Sequence, residues 1–421
     1  MTSSDITLEA LSSISQISAE DWDACATSGS DLGDLDSLDT LASRASNGHR
    51  CATSASPYNP FISHAFLSAL EKSNSACIRT GWAPRHLVAR RGDAVIGVVP
   101  CYLKSHSQGE YVFDRGWADA YQRAGGQYYP KLQASVPFTP ATGPRLLIRD
   151  PLDAERVGSV LAKGLIALCS ATDASSVHVT FARENEWKFL ADNGFLQRTD
   201  QQFHFHNDGY ASFDDFLATL NSRHRKAIKR ERRDALANGI TVHALTGDDI
   251  TEDAWDAFFA FYMETGSRKW GRPYLTRAFY SLIGETMSHD VVLIMARREG
   301  RWIAGAISFI GSDTLFGRHW GAVEHHPFLH FEVCYYQAID FAIRRGLKTV
   351  EAGAQGEHKI ARGYLPQTTY SAHYIVDPGF RRAVADYLQH ERAHVAAAVR
   401  ELTEAGPFRK GDIERTDEEP A

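Results

Sequence analysis

Cysteine is scarce and scattered in this chain of 421 residues. No two thiols stand in a Cys-x-x-Cys spacing, so a zinc site is not indicated. A disulfide framework is not indicated either, because such frameworks belong to small, cysteine-dense secreted domains. The pattern predicts reduced thiols in a cytoplasmic protein. The residues concerned are Cys25, Cys51, Cys77, Cys101, Cys169 and Cys334.

Long apolar runs are also missing. No stretch approaches the ~20 apolar residues that a membrane-spanning helix needs. The N-terminal stretch Met1–Ala10 has no basic start followed by an apolar core, so we expect no signal peptide. Any membrane contact of this chain is therefore expected to be peripheral.

An excess of positive charge is the third absence. The 52 acidic residues outnumber the 45 Lys and Arg and give a formal net charge of -7. This balance argues against a protein that coats nucleic acid, but it allows a local basic patch. The hydrophobic content of 43% is that of an ordinary soluble protein. The length of 421 residues is enough for two domains of about 150–200 residues each.

One local basic patch is present. The apolar residues of 213–236 follow a helical period. The eleven residues 223–233 hold seven Lys or Arg on the opposite face, with Glu231 as their only acid. A solvated helix face is the ordinary interpretation of a charge run. Like charges one turn apart repel, however, so we expect phosphates, a nucleic-acid backbone or acidic groups of the partner domain to offset them. The candidate anion-binding residues are Arg225, Lys226 and Lys229.

A polar loop follows the predicted strand 347–352 near the C-terminal end. It contains three glycines and many donors, acceptors and charges, which a loop that only connects two elements rarely needs. Ligand sites of α/β domains lie beyond the carboxyl ends of strands, where this loop begins. A solvated surface loop is the alternative. The side chains that we single out are Gln355, Glu357, His358, Lys359 and Arg362.

The remaining pattern alternates helices with strands in both halves of the chain. Residues 28–56, rich in Ser, Asp, Gly and Ala, are expected to form a flexible insertion, and 111–145 a long aromatic loop. In the second half, three strands within 291–320 are joined by hairpin turns, and 369–376 is expected to close their sheet. His204 and His206 are expected to face solvent on a strand.

This order of elements resembles the GNAT acyltransferase fold, and its repetition resembles the tandem Fem-type aminoacyl transferases. The resemblance implies an α/β (α+β) fold of two GNAT-like domains, each with a mixed, mostly antiparallel sheet flanked by helices. The implied boundaries are 1–208 for the first domain, 209–378 for the second domain with the active site, and 379–421 for a C-terminal helix and disordered tail.

Four motifs sharpen the resemblance to a bacterial family of Fem-related N-acyltransferases labelled peptidoglycan biosynthesis or recognition proteins. They lie at 128–131, 136–140, 330–332 and 353–359. The resemblance implies transfer of an acyl or aminoacyl group to an amine, with a small-molecule or cell-wall precursor as substrate. The donor alternatives are aminoacyl-tRNA and an acyl-CoA bound in a non-standard way.

Two departures from those families bear on the donor. Residues 325–332 occupy the place of the acetyl-CoA loop but contain no glycine and add Glu332, so standard acetyl-CoA binding is not expected. Fem enzymes that use tRNA often carry a coiled-coil insertion, and this sequence has no sustained heptad run that would form one. His326 and His330 have a metal-like spacing, but Pro327 disfavours a regular helix between them, and no metal site is predicted.

Acyl transfer needs a deprotonated amine, a stabilised oxyanion and aligned substrates. We expect Glu351 or Glu332 to act on the amine and Lys359, with Arg362 behind it, to stabilise the oxyanion or a phosphate. The other expected substrate contacts are Gln355, Glu357, His358, Arg318, His319, Trp320 and Tyr335, with Lys131 and Arg145 from the first domain on one wall of the cleft. The alternative is a non-catalytic module of the same fold that binds a phosphate-bearing cell-wall or lipid-linked ligand.

Overall fold

The structure is a computed structural model that describes residues 5–28, 32, 57–270, 273–354 and 356–409. The side chains of 267–270 and 357 lie outside this description. So do most of the predicted insertion at 28–56 and the predicted disordered tail beyond 409. None of the described helices is long and apolar enough to cross a membrane.

Fifteen strands run through the described residues, numbered here in chain order. They are β1 (Ile6–Leu11), β2 (Trp82–Pro84), β3 (His86–Arg91), β4 (Ala94–Val99), β5 (Cys101–Lys104), β6 (Lys131–Ala134), β7 (Leu147–Ile148), β8 (Ser176–Ala182), β9 (Leu196–His206), β10 (Thr241–Thr246), β11 (Val291–Arg298), β12 (Arg301–Ile310), β13 (Thr314–Ala322), β14 (Thr349–Glu351) and β15 (Leu365–Ile375).

Twelve α-helical segments accompany these strands among the described residues. They are α1 (Ala19–Ala26), α2 (His64–Lys72), α3 (Arg115–Arg123), α4 (Ala154–Ala171), α5 (Glu184–Asp192), α6 (Phe213–Thr219), α7 (Ser222–Ala235), α8 (Glu252–Trp270), α9 (Arg277–Met287), α10 (Leu329–Phe331), α11 (Gln337–Arg345) and α12 (Pro378–Glu404). A π-helical turn (Glu332–Tyr336) joins α10 to α11.

The chain divides into two compact units. Unit 1 comprises 1–200 and 369–394, and unit 2 comprises 201–368 and 395–421. The three divisions fall within β9, within β15 and within α12. The residues 369–375 therefore belong to unit 1, whereas the sequence pattern assigned 369–376 to the sheet of the second half.

Unit 1 contains a four-stranded antiparallel sheet in the order β1-β3-β4-β7. A second series of strands has the order β15-β8-β6-β5-β2, in which only β6 and β8 are parallel. Helix α4 buries Val157, Leu161 and Leu165 in the core of this unit. The predicted aromatic loop at 111–145 was only partly right, because it contains α3 and β6.

Unit 2 has the strand order β10-β11-β12-β13-β14-β9. All of these neighbours are antiparallel except β13 and β14, which pair in parallel from Thr314 and Thr349 to Phe316 and Glu351. Strand β13 then continues past the end of β14 to Ala322, where it is still paired with β12. Arg318 is the extra residue of a β-bulge in β13, because Ile307 pairs with His319 and Ser308 with Gly317. Bulges are common beside active sites, where they re-aim a side chain.

The basic segment was predicted as one helix over 213–236, but the structure has two helices, α6 and α7, which are separated at Leu220. Leu220 has extended backbone, and Asn221 caps α7 by accepting a hydrogen bond from the backbone N–H of His224 at 3.1 Å. An asparagine N-cap satisfies a donor that the first helical turn leaves free. Leu220 is fully buried, and its break lets α6 and α7 each direct a separate apolar face into the unit 2 core.

Candidate functional site

The helix that precedes β14 opens with two irregularities. Phe328 takes a left-handed backbone conformation with φ of 61°, which is uncommon for a bulky residue. After α10, the π-helical turn at Glu332–Tyr336 widens the helix before α11 continues to Arg345. Such turns are frequent at functional sites. The irregular stretch therefore presents Glu332, Tyr335 and Tyr336 to their neighbours in a way that a regular helix does not.

The polar loop predicted to carry function forms a short 3₁₀ turn, Glu357–Arg362. Glycines with positive φ bound it, Gly356 at 101° and Gly363 at 89°. A side chain at Gly363 would clash with the ring of Phe216, since an added Cβ lies 2.6 Å from it. The two glycines thus allow the chain to reverse tightly on both sides of Lys359.

Lys359 is buried, with 3% of its surface exposed. Its Nζ donates to the backbone carbonyls of Ala352 and, at 3.1 Å, Gly353, just beyond β14. Among the side chains that the structure describes, no carboxylate forms an ion pair with it. Burial lowers the pKa of Lys359 to about 8, and the nearby Cys334 opposes this shift. The turn therefore holds an amine that is still largely charged at neutral pH but poorly compensated.

Arg362 closes the same turn and is also buried. Its Nη1 donates to the carbonyl of His358 at 2.6 Å, and its Nη2 lies 2.9 Å from both carboxylate oxygens of Glu231. The guanidinium stacks 3.5 Å above the ring of Phe331, while its Nε has no hydrogen-bond partner in the part of the chain that the structure describes. Tyr336 donates a short hydrogen bond to the same Glu231 carboxylate. In the sequence, Glu231 stands out only as the one acid of a basic run.

Glu332, a predicted catalytic residue, has no exposed surface. Arg232 donates to it from Nε and Nη2, and Gln337 Nε2 donates at 2.7 Å. A carboxylate that is held by three donors fits an ion-pair anchor better than a free general base.

Glu351 lies at the end of β14 and is nearly buried. His204 pairs with it across the strands, and its Nε2 is 3.9 Å from the Glu351 carboxylate. The expectation of a solvent-facing His204 was wrong, because this residue is buried. Burial lowers the pKa of His204 to about 3, and His206 and Lys359 contribute further. A neutral imidazole thus lies close to Glu351 and within the electrostatic reach of Lys359.

Aromatic rings surround the turn on one side. Tyr335 Oη and His358 Nε2 are 3.1 Å apart, and His358 also packs against Phe331. The ring of His330 lies 5.2 Å from that of Trp320 and 5.4 Å from that of Tyr335. Desolvation, then the positive charges of Arg362 and Lys359, lower the pKa of His358, so this exposed imidazole is neutral at neutral pH.

The predicted residues at the end of β13 do not share one environment. Trp320 joins the ring cluster through His330, whereas the His319 ring packs edge-on against Tyr262 of α8 at 5.0 Å. Desolvation and the charge of Arg318 lower the pKa of His319 to about 3. Burial raises the pKa of Tyr280 and the charge of Arg318 opposes this shift, so Arg318 also acts on a residue of α9. Trp320 is thus linked to the turn through His330, whereas His319 packs against α8.

The FemAB-like family of peptidoglycan biosynthesis and recognition proteins matches residues 13–410 of this sequence. The chain belongs to the FemAB-like family. No curated protein matches it. Among solved structures, it resembles FemX at 13% identity and a TM-score of 0.50, over 76% of this chain and 94% of that one. This likeness concerns the fold, and together with the family match it confirms the predicted tandem GNAT-like α/β architecture.

Two further solved structures are similar at lower scores. One is a tandem GNAT protein from the clavulanic acid biosynthesis pathway, with 12% identity, a TM-score of 0.41 and coverage of 89% of this chain and 99% of that one. The other is L-PGS from Bacillus licheniformis, with 10% identity, a TM-score of 0.47 and coverage of 79% and 98%.

The predicted anion-binding cations of this FemAB-like protein have unlike surroundings on α7. Lys229 pairs with Asp214 at 3.1 Å, and both side chains are largely exposed. Arg225 is half-buried, with Nη1 3.4 Å from the carbonyl of Leu220. Lys226 is exposed and forms no ion pair with the described residues. Of the three, Lys226 is the cation most available to an anion.

Lys131, predicted on a substrate-binding wall, is fully buried inside unit 1. Its Nζ donates to Glu110 at 2.6 Å, to Ser107 at 2.8 Å and, over a shorter contact, to Asp114. A side chain with no exposed surface and three donated hydrogen bonds does not fit the expected contact with substrate. It neutralises buried carboxylates instead.

Arg145 is likewise fully buried in unit 1. Its guanidinium donates to four backbone carbonyls, those of Ala141, Gly143, Pro144 and Thr180. These contacts give Arg145 the structural task of holding an irregular backbone segment. The expectation that it binds substrate does not fit this burial.

Two predicted substrate contacts of the turn cannot be placed. Gln355 lies outside the described residues, as does the side chain of Glu357. No group of three or more His, Cys, Asp or Glu suited to a metal ion occurs in the part of the chain that the structure describes.

Proposed function

We propose that this FemAB-like protein transfers an acyl or aminoacyl group to an amine of a cell-wall precursor. The observation that carries the proposal is the buried Lys359 amine, which among the described residues donates hydrogen bonds to two carbonyls and has no carboxylate partner. A buried cation that is poorly compensated favours a ligand that brings negative charge. The oxyanion of an acyl-transfer intermediate brings such charge.

Each residue has a defined part in the proposed reaction. The acceptor nitrogen attacks the donor carbonyl carbon, a C–N bond forms, and Lys359 stabilises the negative oxygen. Glu351 accepts a proton from the acceptor amine. When the intermediate collapses, the bond from the carbonyl carbon to the donor's ester oxygen or thioester sulfur breaks, and the leaving group takes up a proton. Arg362 and His358 fix the turn and the donor beside it.

The two donor alternatives remain aminoacyl-tRNA and an acyl-CoA. In the sequence, Glu332 near the start of the helix that precedes β14 argued against binding of an anion at this place. In the structure, Arg232 neutralises Glu332, so this objection to a phosphate-bearing donor weakens. Four described cysteines, Cys25, Cys77, Cys101 and Cys169, are free thiols, which suits a reducing compartment and supports a cytoplasmic location.

The experiment offers purified protein a panel of amine-bearing peptidoglycan precursors with either aminoacyl-tRNA or acyl-CoA and follows the mass of the acceptor. On the pair that reacts, Lys359→Met should lower kcat by about 10²–10³-fold, as expected for loss of one oxyanion donor. Glu351→Gln should lower kcat with little change in KM. The matched control is Lys348→Met, which removes an exposed lysine of unit 2. Full activity in both site variants would refute the assigned roles.

A second function is favoured by Arg362 Nε, which is buried and has no hydrogen-bond partner among the residues described. Together with Lys359, it suits a module that binds a phosphate-bearing cell-wall or lipid-linked ligand and performs no chemistry. Calorimetric binding of a precursor diphosphate, with no mass change of any acceptor for either donor, would favour this module. Turnover with any donor would exclude it.

A further inference from the structure

Helix α7 contacts the Lys359 turn through the carboxylate of Glu231. Glu231 is mostly buried, with 13% of its side chain exposed. It accepts hydrogen bonds from Arg362 of the turn and from Tyr336 of the π-helical turn. Three segments that are far apart in the sequence therefore converge on one acid.

We propose that Glu231 is a positioning residue that keeps the 3₁₀ turn closed around Lys359 by anchoring Arg362. This inference rests on the proposed role of Lys359 in acyl transfer. Glu231 does not itself touch the Lys359 amine in the structure, so it acts through Arg362 and the backbone of the turn.

The path from Glu231 to Lys359 is continuous. Arg362 holds the carbonyl of His358 at 2.6 Å, directly before Lys359 in the chain. The Lys359 N–H donates to the carbonyl of Gly356 at 3.1 Å, and the Lys359 carbonyl accepts from the N–H of Tyr364 at 3.2 Å. The turn is thus fixed on both sides of Lys359, and Arg362 supplies the only side-chain clamp among these contacts.

The charge of Glu231 is needed for this clamp. Arg362 is a buried cation with one unpaired nitrogen, and stacking on Phe331 alone compensates a buried charge only weakly. Without the carboxylate, the guanidinium gains most by turning towards water, which releases the His358 carbonyl. The turn then loosens, and Lys359 leaves the two carbonyls that hold it.

The test measures the ionisation of Lys359 without any substrate. Competitive labelling of the whole protein with acetic anhydride, followed by peptide mass spectrometry, gives the pH midpoint of the Lys359 amine. In the wild type this midpoint should lie near the pKa of about 8. The groups whose charges act around the turn are His204, Cys334, His358 and Arg362.

Glu231→Gln should move the midpoint upward, towards the ordinary value of 10.5, because water reaches a released amine. Glu231→Asp should restore part of the shift. Asp214→Asn, which removes an exposed acid from the Lys229 pair, should leave the midpoint unchanged. A midpoint that stays near 8 in Glu231→Gln, or falls, overturns the proposal, since a fall would mean that Glu231 acts by charge alone.

Tyr336→Phe provides the second variant if Glu231→Gln does not fold. It removes one hydrogen bond to Glu231 and keeps the ring, so a smaller upward shift is expected, and an unchanged midpoint contradicts the proposal. The labelling result is independent of turnover. Absence of transfer activity in the wild type would refute the proposed function while leaving the link between Glu231 and the turn measurable.

Discussion

Arg232 and Glu332 form a paired contact in which Nε lies 3.1 Å from Oε2 and Nη2 lies 3.1 Å from Oε1. The carboxylate is fully buried and the guanidinium is about one quarter exposed. The pair joins α7 to the π-helical turn, next to the contact between Glu231 and Tyr336. Two adjacent residues of one helix thus hold both the π-helical turn and, through Arg362, the 3₁₀ turn.

Loss of Arg232 should therefore be costly for the fold. Arg232→Met leaves Glu332 buried without a counter-charge, and we expect the free energy of unfolding to fall by about 3–5 kcal/mol. Urea denaturation followed by circular dichroism measures this change. Lys229→Met is the matched control on the same helix, because its exposed pair with Asp214 should contribute less than about 1 kcal/mol. Equal, small effects of both substitutions would contradict the anchoring role.

Burial of Lys359 should make stability depend on pH. Its pKa is lowered from 10.5 to about 8 by desolvation, so the folded state pays for a buried charge below pH 8. As the pH rises from 8 towards 10.5, the folded amine is neutral while the unfolded one still binds a proton, and stability rises. The free energy of unfolding relative to that of Lys359→Met should increase by up to about 3 kcal/mol over this window.

The same comparison with Lys348→Met, at an exposed position of unit 2, supplies the control. That variant should follow the wild type in parallel at every pH. If the difference between the wild type and Lys359→Met is also constant from pH 7.5 to 10, the Lys359 amine is not desolvated in solution.

The sequence located the polar turn because its signals are local. Glycines at 353, 356 and 363 with charged neighbours mark a tight, chemically rich turn after a strand, and the structure gives all three a positive φ. The C-cap at Gly346 is likewise a local signal, and Gly346 ends α11 in the left-handed conformation.

What sequence reasoning missed depends on long-range pairing. Glu231 acquires its role from Arg362, which lies 131 positions away. The segment 369–376 alternates like any strand, and nothing in its own residues identifies β8 as a neighbour. The burial of Lys131 and Arg145 follows from partners elsewhere in unit 1, although charged residues are mostly exposed in proteins.

The break between α6 and α7 offers a test of local stability. Asn221 Oδ1 accepts from the His224 backbone N–H, so Asn221→Ala should lower the free energy of unfolding by about 1 kcal/mol. Asn221→Asp keeps the acceptor and should retain most of the stability. Thermal unfolding of the three proteins distinguishes these cases. If Asn221→Asp is as unstable as Asn221→Ala, the acceptor is not what matters at this position.

The buried ionisable groups of unit 1 should affect the pH dependence of the free energy of unfolding in a different way. Glu110 is 5% exposed, and its Oε1 lies 3.9 Å from Lys104 Nζ while its Oε2 bonds to Lys131. Desolvation, against the attraction of Lys131, raises the pKa of Glu110 to about 7. Desolvation also lowers the pKa of Lys104 to about 7. Both Glu110 and Lys104 therefore change their charge close to neutral pH, and their titrations are coupled.

Glu110 should therefore destabilise unit 1 as the pH rises. Between pH 4.5 and 7, the unfolded carboxyl loses its proton while the folded one keeps it, so the folded state becomes less stable by up to about 3 kcal/mol. Glu110→Gln cannot ionise and should lack this decline, which urea denaturation at pH 5 and pH 7.5 measures. Glu155→Gln, at an exposed position of α4, should decline like the wild type. Parallel declines in all three proteins would mean that Glu110 is already ionised at pH 5, and that the charge of Lys131 outweighs its desolvation.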